Sequence, residues 1–222
     1  MAGNPQFGAC DVVVFDWDGT IADSVALVVH ALQQAARTMG FRLADETLAR
    51  QSVGLGMNEL LARLLPDLPA SHYGEFIDLY RRFYFGQRQQ IDVPFQGIPG
   101  LIQALAGQGR RLAVATGKSR MGLDRALNST GLGRWFETSR CSEEGVSKPD
   151  PWMLKSLADE MGVQASQMVM VGDTIHDIDM AHAFGCLSIG IHHGVEAPGV
   201  LRRSQPTALA GSVDELAALL GV

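Results

Sequence analysis

Four short apolar runs, with helical stretches after them, constrain most strongly what this chain can fold into. They are DVVVF (11–15), RLAVAT (111–116), QMVMVGD (167–173) and CLSIGI (186–191). Short runs that are apolar at successive positions are typical of strands buried on both faces. Because helical patterns of about 10–15 residues alternate with the later runs, they predict a parallel sheet covered by helices on both faces.

A weaker strand and five helices complete this prediction. WFETSRC (135–141) is the weaker strand, and a polar loop follows it. Residues 1–9 contain Gly, Asn and Pro and are expected to form a loose tail. Helices are expected at residues 99–107, 119–130, 151–161, 175–184 and 212–220.

The chain between the first two strands has a different character, because its pattern is almost entirely helical. Apolar residues at i, i+3 and i+4 spacings predict a helix from Ser24 to about Gly40. Further helical stretches are expected at about 45–52, 57–65 and 71–90. We therefore predict a helical domain over residues 23–92, inserted into an α/β core made of residues 1–22 and 93–222.

Charge and composition argue against several functions and locations. The formal net charge is −6, so no basic field for nucleic acid is present. No run of 18 apolar residues indicates a membrane span, and the first ten residues lack the features of a signal peptide. The three cysteines are odd in number and far apart, which favours free thiols in a reducing compartment. We expect a cytoplasmic protein with neither nucleic acid nor membrane as partner.

Acidic side chains follow the predicted strands where each one ends. Asp16 and Asp18 end the first strand, Asp173 ends the 167–173 strand, and Asp177 lies just beyond. Ligands of an open parallel sheet bind beyond the carboxyl ends of its strands, so these acids should meet. Crowded carboxylates repel one another unless a cation or protons sit among them. Oxygen ligands in small number favour Mg²⁺, which also binds substrate phosphates.

Hydroxyl and ammonium groups follow the other strands. Thr116 ends the second strand, and Lys148 follows the weaker strand. Together with backbone N–H groups at glycines, they would complement phosphoryl oxygens. A carboxylate can attack phosphorus, and a second one two residues on could protonate the leaving oxygen and later deprotonate water. Asp16 and Asp18 have this spacing. D-x-D-G-T alone is more often a turn or a cation loop, so the joint order of the motifs is the specific signal.

Four motifs in this order resemble those of the haloacid dehalogenase superfamily of hydrolases. They are FDWDGTIADS, VATGKSR, SKPDP and VGDTIHDIDMA. The helical insertion resembles the cap of the phosphoglycolate-phosphatase-like branch. The resemblance implies an α/β fold with a Rossmann-like three-layer core, a mostly parallel sheet and a smaller inserted α-helical cap. It also implies a Mg²⁺-dependent phosphatase of a small phosphorylated metabolite, phosphoglycolate-like or a sugar phosphate, that forms an aspartyl-phosphate.

The resemblance implies a role for each motif residue. Asp16 would attack the phosphorus, and Asp18 would act as general acid and then as general base. Thr116 and Lys148 would hold the phosphoryl group, with help from the amide of Gly117. Four acids would serve the magnesium ion, with Asp18 using its backbone carbonyl and Asp177 acting through a water or by orienting Lys148: Asp16, Asp18, Asp173 and Asp177.

Three further residues are candidates for substrate contacts. Lys118 and Arg120 follow Thr116 closely, and two extra cations suggest a second anionic group on the substrate. A surface position at a helix start is the alternative for both. Gly54 lies in SVGLGMNELL (52–61), which resembles the cap loop that faces the core site. Its backbone would approach the ligand, or it would simply form a turn between helices.

Three other functions would use the same fold. Dehalogenation is disfavoured, because dehalogenase members lack an acid at the position of Asp18. A phosphomutase would use the same residues as a phosphatase. A catalytically idle binding or regulatory member is expected to have lost an acid, whereas Asp16, Asp18 and Asp173 are all present. The chain could act as a monomer or a homodimer.

Overall fold

The computed structural model describes residues 5–43, 45–86, 92–196 and 198–222. Its strands are β1 Val12–Phe15, β2 Arg111–Thr116, β3 Thr138–Cys141, β4 Met168–Gly172, β5 Leu187–Ile191 and β6 Ala208–Ala210. They form one sheet in the order β3-β2-β1-β4-β5-β6, and every neighbouring pair is parallel. The predicted α/β class is confirmed.

Helices surround this sheet and fill the segment between β1 and β2. No helix in the described part of the chain is long and apolar enough to cross a membrane. The α-helices are α1 Pro5–Gly8, α2 Val25–Thr38, α3 Glu46–Gln51, α4 Met57–Leu64, α5 Tyr73–Phe85, α6 Ile98–Gly107, α7 Arg120–Thr130, α8 Trp152–Met161, α9 Ile175–Phe184, α10 Pro198–Arg203 and α11 Val213–Leu220.

Alternate residues of β1 face opposite sides of the sheet, and each side has its own apolar layer. Val13 and Phe15 pack with residues of α6 and α11. Val12 and Val14 pack with residues of α8 and α9. Both faces are buried, which explains why the strand is apolar at every position. Its carboxyl end therefore emerges from the centre of a three-layer core.

Helices α2 to α5 form a separate apolar cluster. Leu32, Leu61 and Phe76 are among its fully buried members. Two connections join this helical block to the core and run side by side. The amide of Asp23 donates to the carbonyl of Val93 (2.9 Å), and similar bonds link the neighbouring residues. The helical block is thus joined to the core by two connections that are hydrogen-bonded to each other.

Some local expectations were wrong or incomplete. The expected loose tail contains α1. Phe7 of this helix is fully buried, and its backbone carbonyl accepts a hydrogen bond from the guanidinium of Arg110 (2.9 Å). β6 and α10 were not predicted, because three and six residues are too short to show a period. The helix expected at 71–90 ends at Phe85, and residues 87–91 lie outside the described part.

The three cysteines, Cys10, Cys141 and Cys186, are free and buried. Burial raises the pKa of Cys141 and of Cys186 to about 12. Both thiols therefore stay protonated near neutral pH, as expected for cysteines that only pack.

Candidate active site

Asp16 occupies the point where the strand order of the sheet reverses. β1 is flanked by β2 on one side and β4 on the other, so their carboxyl ends border one crevice. The amide of Asp16 donates to the carbonyl of Val171 (2.9 Å), which extends the pairing with β4 past the end of β1. This backbone position fixes a fully buried carboxylate at the floor of the crevice.

Lys148 lies between Asp16 and Asp177. Its Nζ is 2.7 Å from Oδ1 of each carboxylate, and all three side chains are completely buried. Asp16 Oδ2 accepts no hydrogen bond from any described residue. A buried carboxylate oxygen without a hydrogen-bond partner costs folding free energy. Such an atom therefore indicates a site that binds a ligand.

Asp177 and Asp173 are both held by neighbouring donors. Thr174 donates to Asp177 Oδ2 from its hydroxyl (2.7 Å) and its amide (3.1 Å), as a cap of α9. Asp173 accepts from the hydroxyl of Thr20 (2.8 Å) and the amide of Val195 (2.6 Å). These bonds orient both carboxylates toward the crevice at the end of β4.

Gly19 brings the first motif against Asp173. Its φ is +85°, and a Cβ at this position would collide with the Asp173 carboxylate. Glycine is therefore required here for both conformation and space. The turn places the Asp18–Gly19 backbone beside the acids.

The carboxylates of Asp16, Asp173 and Asp177 form an electrostatically strained cluster. One carboxylate oxygen of each lies within 4.8 Å of one oxygen of each of the other two. Burial raises the pKa of Asp16 to about 7, although Lys148 opposes the shift. Burial and the neighbouring charges of Asp16 and Asp177 raise the pKa of Asp173 well above its usual value. One ammonium is insufficient for three buried acids, so the site fits a hard divalent cation bound by oxygen ligands.

The side chain of Asp18 lies apart from these three acids. Its Oδ1 accepts from the hydroxyl of Ser24 and from Lys118 Nζ (2.8 Å). It also lines a cavity between the helical block and the core. The two acids of the first motif therefore have different surroundings.

Lys118 connects the core with the helical block. Besides Asp18, its Nζ lies 2.9 Å from Asp92 Oδ1 and 2.9 Å from the hydroxyl of Tyr84. Asp92 adjoins the second connection, and Tyr84 belongs to α5. The predicted cation is thus present at the cavity, but its three donors already have protein partners.

Arg120 is not brought to the acids, and its expected substrate contact finds no support in this geometry. Ser119 caps α7, which directs Arg120 toward β3. There the guanidinium pairs with Glu144 (2.9 Å) and donates to the hydroxyl of Ser139 (2.8 Å). Asp124 lies 3.4 Å away on the same helix. The unfavourable charge at the helix start is offset by these partners.

The loop around Gly54 rests directly on the core. Gly54 has a φ of +99°, and a Cβ there would lie 3.9 Å from Asp16 Oδ2. A Cβ on Gly117 would lie 2.5 Å from the carbonyl oxygens of Gly54 and Leu55. The amide of Gly56 donates to the hydroxyl of Ser147 (2.7 Å). Both predicted glycines therefore permit a close backbone approach beside Asp16.

Thr116 lies at the end of β2 and is fully buried. Its Oγ1 accepts from the amide of Lys118 (3.2 Å). This bond fixes the position of the hydroxyl next to the end of β1. Thr116 is therefore placed to contribute to the crevice from the β2 side.

Sequence reasoning missed Asp92 and Tyr84 as partners of Lys118 and Ser24 as a partner of Asp18. Asp92 and Tyr84 were assigned only to the end of the helical insertion, and Ser24 only to the start of a helix. An acid at a domain connection was the one available signal. It gave no indication of which cation it would meet, since that depends on how the helical block packs.

The chain thus combines an α/β core, a helical block between β1 and β2, and an acidic cluster at the carboxyl ends of the strands, and the comparisons with known proteins assign this combination to a class of hydrolases. Residues 13–191 match the family of haloacid dehalogenase-like hydrolases. The chain belongs to that family, in its phosphoglycolate-phosphatase-like branch.

Individual relatives agree with this assignment. A phosphoglycolate phosphatase of Vibrio parahaemolyticus is 28% identical over 219 residues, covering 95% of this chain and 96% of that protein. One from Vibrio vulnificus is 30% identical over 213 residues, covering 92% and 93%. The crystal structure of a predicted phosphoglycolate phosphatase from Haemophilus somnus has a TM-score of 0.84 at 22% identity, covering 94% and 96%. At 22% identity, the similarity to this last structure shows a shared fold and nothing about function.

Proposed function

We propose that this protein is a Mg²⁺-dependent phosphatase that hydrolyses a small phosphorylated metabolite through an aspartyl-phosphate at Asp16. The unpartnered Oδ2 of Asp16 carries the proposal, because it lies buried beside Lys148 and the backbone of Gly54. The phosphatase names of the curated relatives support the same reaction.

The magnesium ion would be held by side chains of Asp16 and Asp173, by the backbone carbonyl of Asp18, and by Asp177 through water. When bound, it supplies Lewis-acid polarisation and neutralises charge on the phosphoryl group. The crowding of Asp16, Asp173 and Asp177 and the raised pKa values of Asp16 and Asp173 fit this ligand set. The pairing of Asp177 with Lys148 gives Asp177 a second task, which is to orient that ammonium.

Two steps complete the proposed reaction. In the first, Asp16 Oδ2 forms a bond to phosphorus, the ester P–O bond breaks, and Asp18 gives its proton to the leaving oxygen. In the second, Asp18 removes a proton from water, which attacks phosphorus and breaks the bond to Asp16. Lys148 and Thr116 stabilise the charge on the transferred phosphoryl group, and the amide of Gly117 assists them.

Residues 23–92 would act as a cap over these steps. The paired connections at Asp23 and Val93 would allow the block to move as a unit, and Gly54 would then exclude water from Asp16. In the described structure the loop at Gly54 is seated on Gly117. A cap that is closed over Asp16 would require this close contact between the Gly54 loop and Gly117.

The function is tested by phosphate release from an aryl phosphate with Mg²⁺ and after EDTA treatment. We expect EDTA to lower turnover by at least about a hundredfold, because a charge-stabilising group is lost from the transition state. Added Mg²⁺ should restore the rate. Turnover that is unchanged in EDTA would contradict the metal requirement.

Seating of the cap loop is tested by Gly117→Ala. Its new methyl group would meet the carbonyl oxygens of Gly54 and Leu55, so the loop must retreat from Asp16. A displacement near 1 Å at a catalytic site can cost on the order of a hundredfold, and we expect a loss of kcat/KM of about that size. Gly107→Ala is the control, because a Cβ there contacts nothing within 4 Å. Equal kinetics of the two variants would contradict the role of this contact.

A further inference from the structure

The cavity beside Asp18 has room for more than a phosphoryl group, and its lining combines apolar, polar and charged side chains. It has a volume of about 390 Å³ and lies between the helical block and the end of β2. This volume falls in the range of about 300–1,000 Å³ that is typical of pockets for small molecules. We propose that it binds the alcohol part of the substrate and selects an alcohol with a neutral apolar or aromatic group over one with a second anionic group.

This inference rests on the proposed phosphatase function, and the position of Asp18 links the two. Asp18 lines the cavity, whereas the cavity does not reach Asp16 or Lys148. If Asp18 protonates the leaving oxygen, the remainder of the alcohol must extend to the side that Asp18 faces. The cavity is therefore the place for the leaving group and not for the phosphate.

Apolar and aromatic side chains dominate the walls of this cavity. Tyr80 and Tyr84 are stacked with ring centroids 5.6 Å apart, and Phe85 meets Tyr84 edge-on at 5.2 Å. Burial raises the pKa of both tyrosines, so their hydroxyls stay neutral. The aliphatic walls come from Val28, Val53, Leu55, Met57, Leu60 and Ile77.

The charges of the cavity disfavour an anionic group. Lys118 lies 2.8 Å from Asp18 and 2.9 Å from Asp92, so the ammonium keeps Asp92 as a carboxylate partner when Asp18 carries the proton of the first step. Arg81 is the other cation of the lining and lies 3.6 Å from Asp78 at the partly exposed end. The acids of the lining are Asp18, Glu59 and Glu143. Apart from Asp18, a substrate carboxylate would therefore meet two acids, Glu59 and Glu143, and two cations that already have carboxylate partners.

An apolar substrate group avoids this electrostatic cost. It would replace water against the tyrosine rings and the aliphatic side chains, and removal of its apolar surface from water favours binding. Because the partners of Lys118 stay in place, binding would also leave the link to Tyr84 intact. Lys118, paired in this way, therefore favours a neutral substrate group beside it over an anionic one.

A set of matched phosphate esters tests this selection. The full chain with Mg²⁺ would be assayed with three propyl phosphates that end in a phenyl, a hydroxyl or a carboxylate group. We expect kcat/KM for the phenyl ester to exceed that of each other ester by at least about tenfold, which is typical of apolar pocket discrimination. Equal or better turnover of the carboxylate or hydroxyl ester would overturn the inference while leaving the phosphatase function intact. Absence of Asp16-dependent turnover with all three would overturn both.

A variant reverses the expected preference. Ile77→Lys introduces an unpaired cation into the wall of the cavity, so it should lower kcat/KM for the phenyl ester and raise that for the carboxylate ester, each about tenfold. Glu75→Gln changes the charge of the same helix equally, but Glu75 is exposed and does not line the cavity. An unchanged preference in a folded Ile77→Lys protein would contradict the inference. The ester series on the unaltered chain decides the matter independently if that variant does not fold.

Discussion

Asp16→Asn is expected to lower turnover by at least about a thousandfold while sparing the fold. The amide that replaces the carboxylate cannot act as the nucleophile toward phosphorus. Asp159→Asn makes the same chemical change on the exposed side of α8 and should retain normal activity. Steady-state phosphate release from both variants measures the difference. A fully active Asp16→Asn protein would exclude covalent catalysis at this residue.

The same variant should keep or gain stability when metal is absent. The folded pKa of Asp16 is raised to about 7, above its value in the unfolded chain, so its ionisation disfavours folding. The unfolding free energy of the unaltered protein should therefore fall as pH rises from about 4 through 7. Asparagine has no such titration, which makes the comparison clearest at pH 8. Thermal unfolding in EDTA is the measurement, and a large loss of stability at pH 8 would contradict it.

Lys148→Met is expected to impair both stability and activity. Removal of one member of a buried ion cluster typically costs about 3–5 kcal/mol, because the remaining charges are left uncompensated. Asp16 and Asp177 would both lose the ammonium that lies 2.7 Å from each. Activity should fall by about a hundredfold or more, since the phosphoryl charge loses a fixed cation.

The pH dependence separates this electrostatic effect from simple loss of packing. Lys148 opposes the rise in the pKa of Asp16, so without this ammonium the pKa of Asp16 in the folded state should rise further. The stability gap to the unaltered protein should then widen as pH rises and narrow as pH falls. Lys155→Met makes the same change on the exposed face of α8 and should show neither effect. A gap that is constant from pH 5 to pH 8 would indicate packing alone.

The sequence predicted the positions that follow directly from strand ends. Asp16, Asp173 and Lys148 each lie just beyond a strand or its following loop, and the parallel arrangement of the strands forces their carboxyl ends together. Lys148 donates to Asp177 (2.7 Å), and the orienting role that the family resemblance implies for Asp177 stays a prediction. The positions of these residues depend on where the strands end and on their parallel arrangement, and the hydrophobic pattern of the sequence indicates both.

The contacts of the helical block could not be predicted in the same way. Lys118 meets Tyr84 of α5 and Asp92 of the second connection because of the angle at which the helical block packs on the core. No periodicity reports that angle. Arg120 illustrates the converse, since proximity to Thr116 in sequence suggested the site, whereas helix capping directs its side chain to Glu144.

Phosphorylation of Asp16 itself is the most direct measurement of the central claim. Asp18→Asn should slow attack by water on the intermediate, whereas an aryl phosphate has a leaving group that departs without a proton from Asp18. The phosphorylated protein should therefore accumulate after rapid mixing with an aryl phosphate and acid quench. We expect mass spectrometry to place one phosphoryl group on the peptide that contains Asp16, and borohydride to convert that residue to homoserine. The signal should be absent after Asp16→Asn. A phosphoryl group on another residue, or phosphate release with Asp16 never modified, would contradict the proposed mechanism.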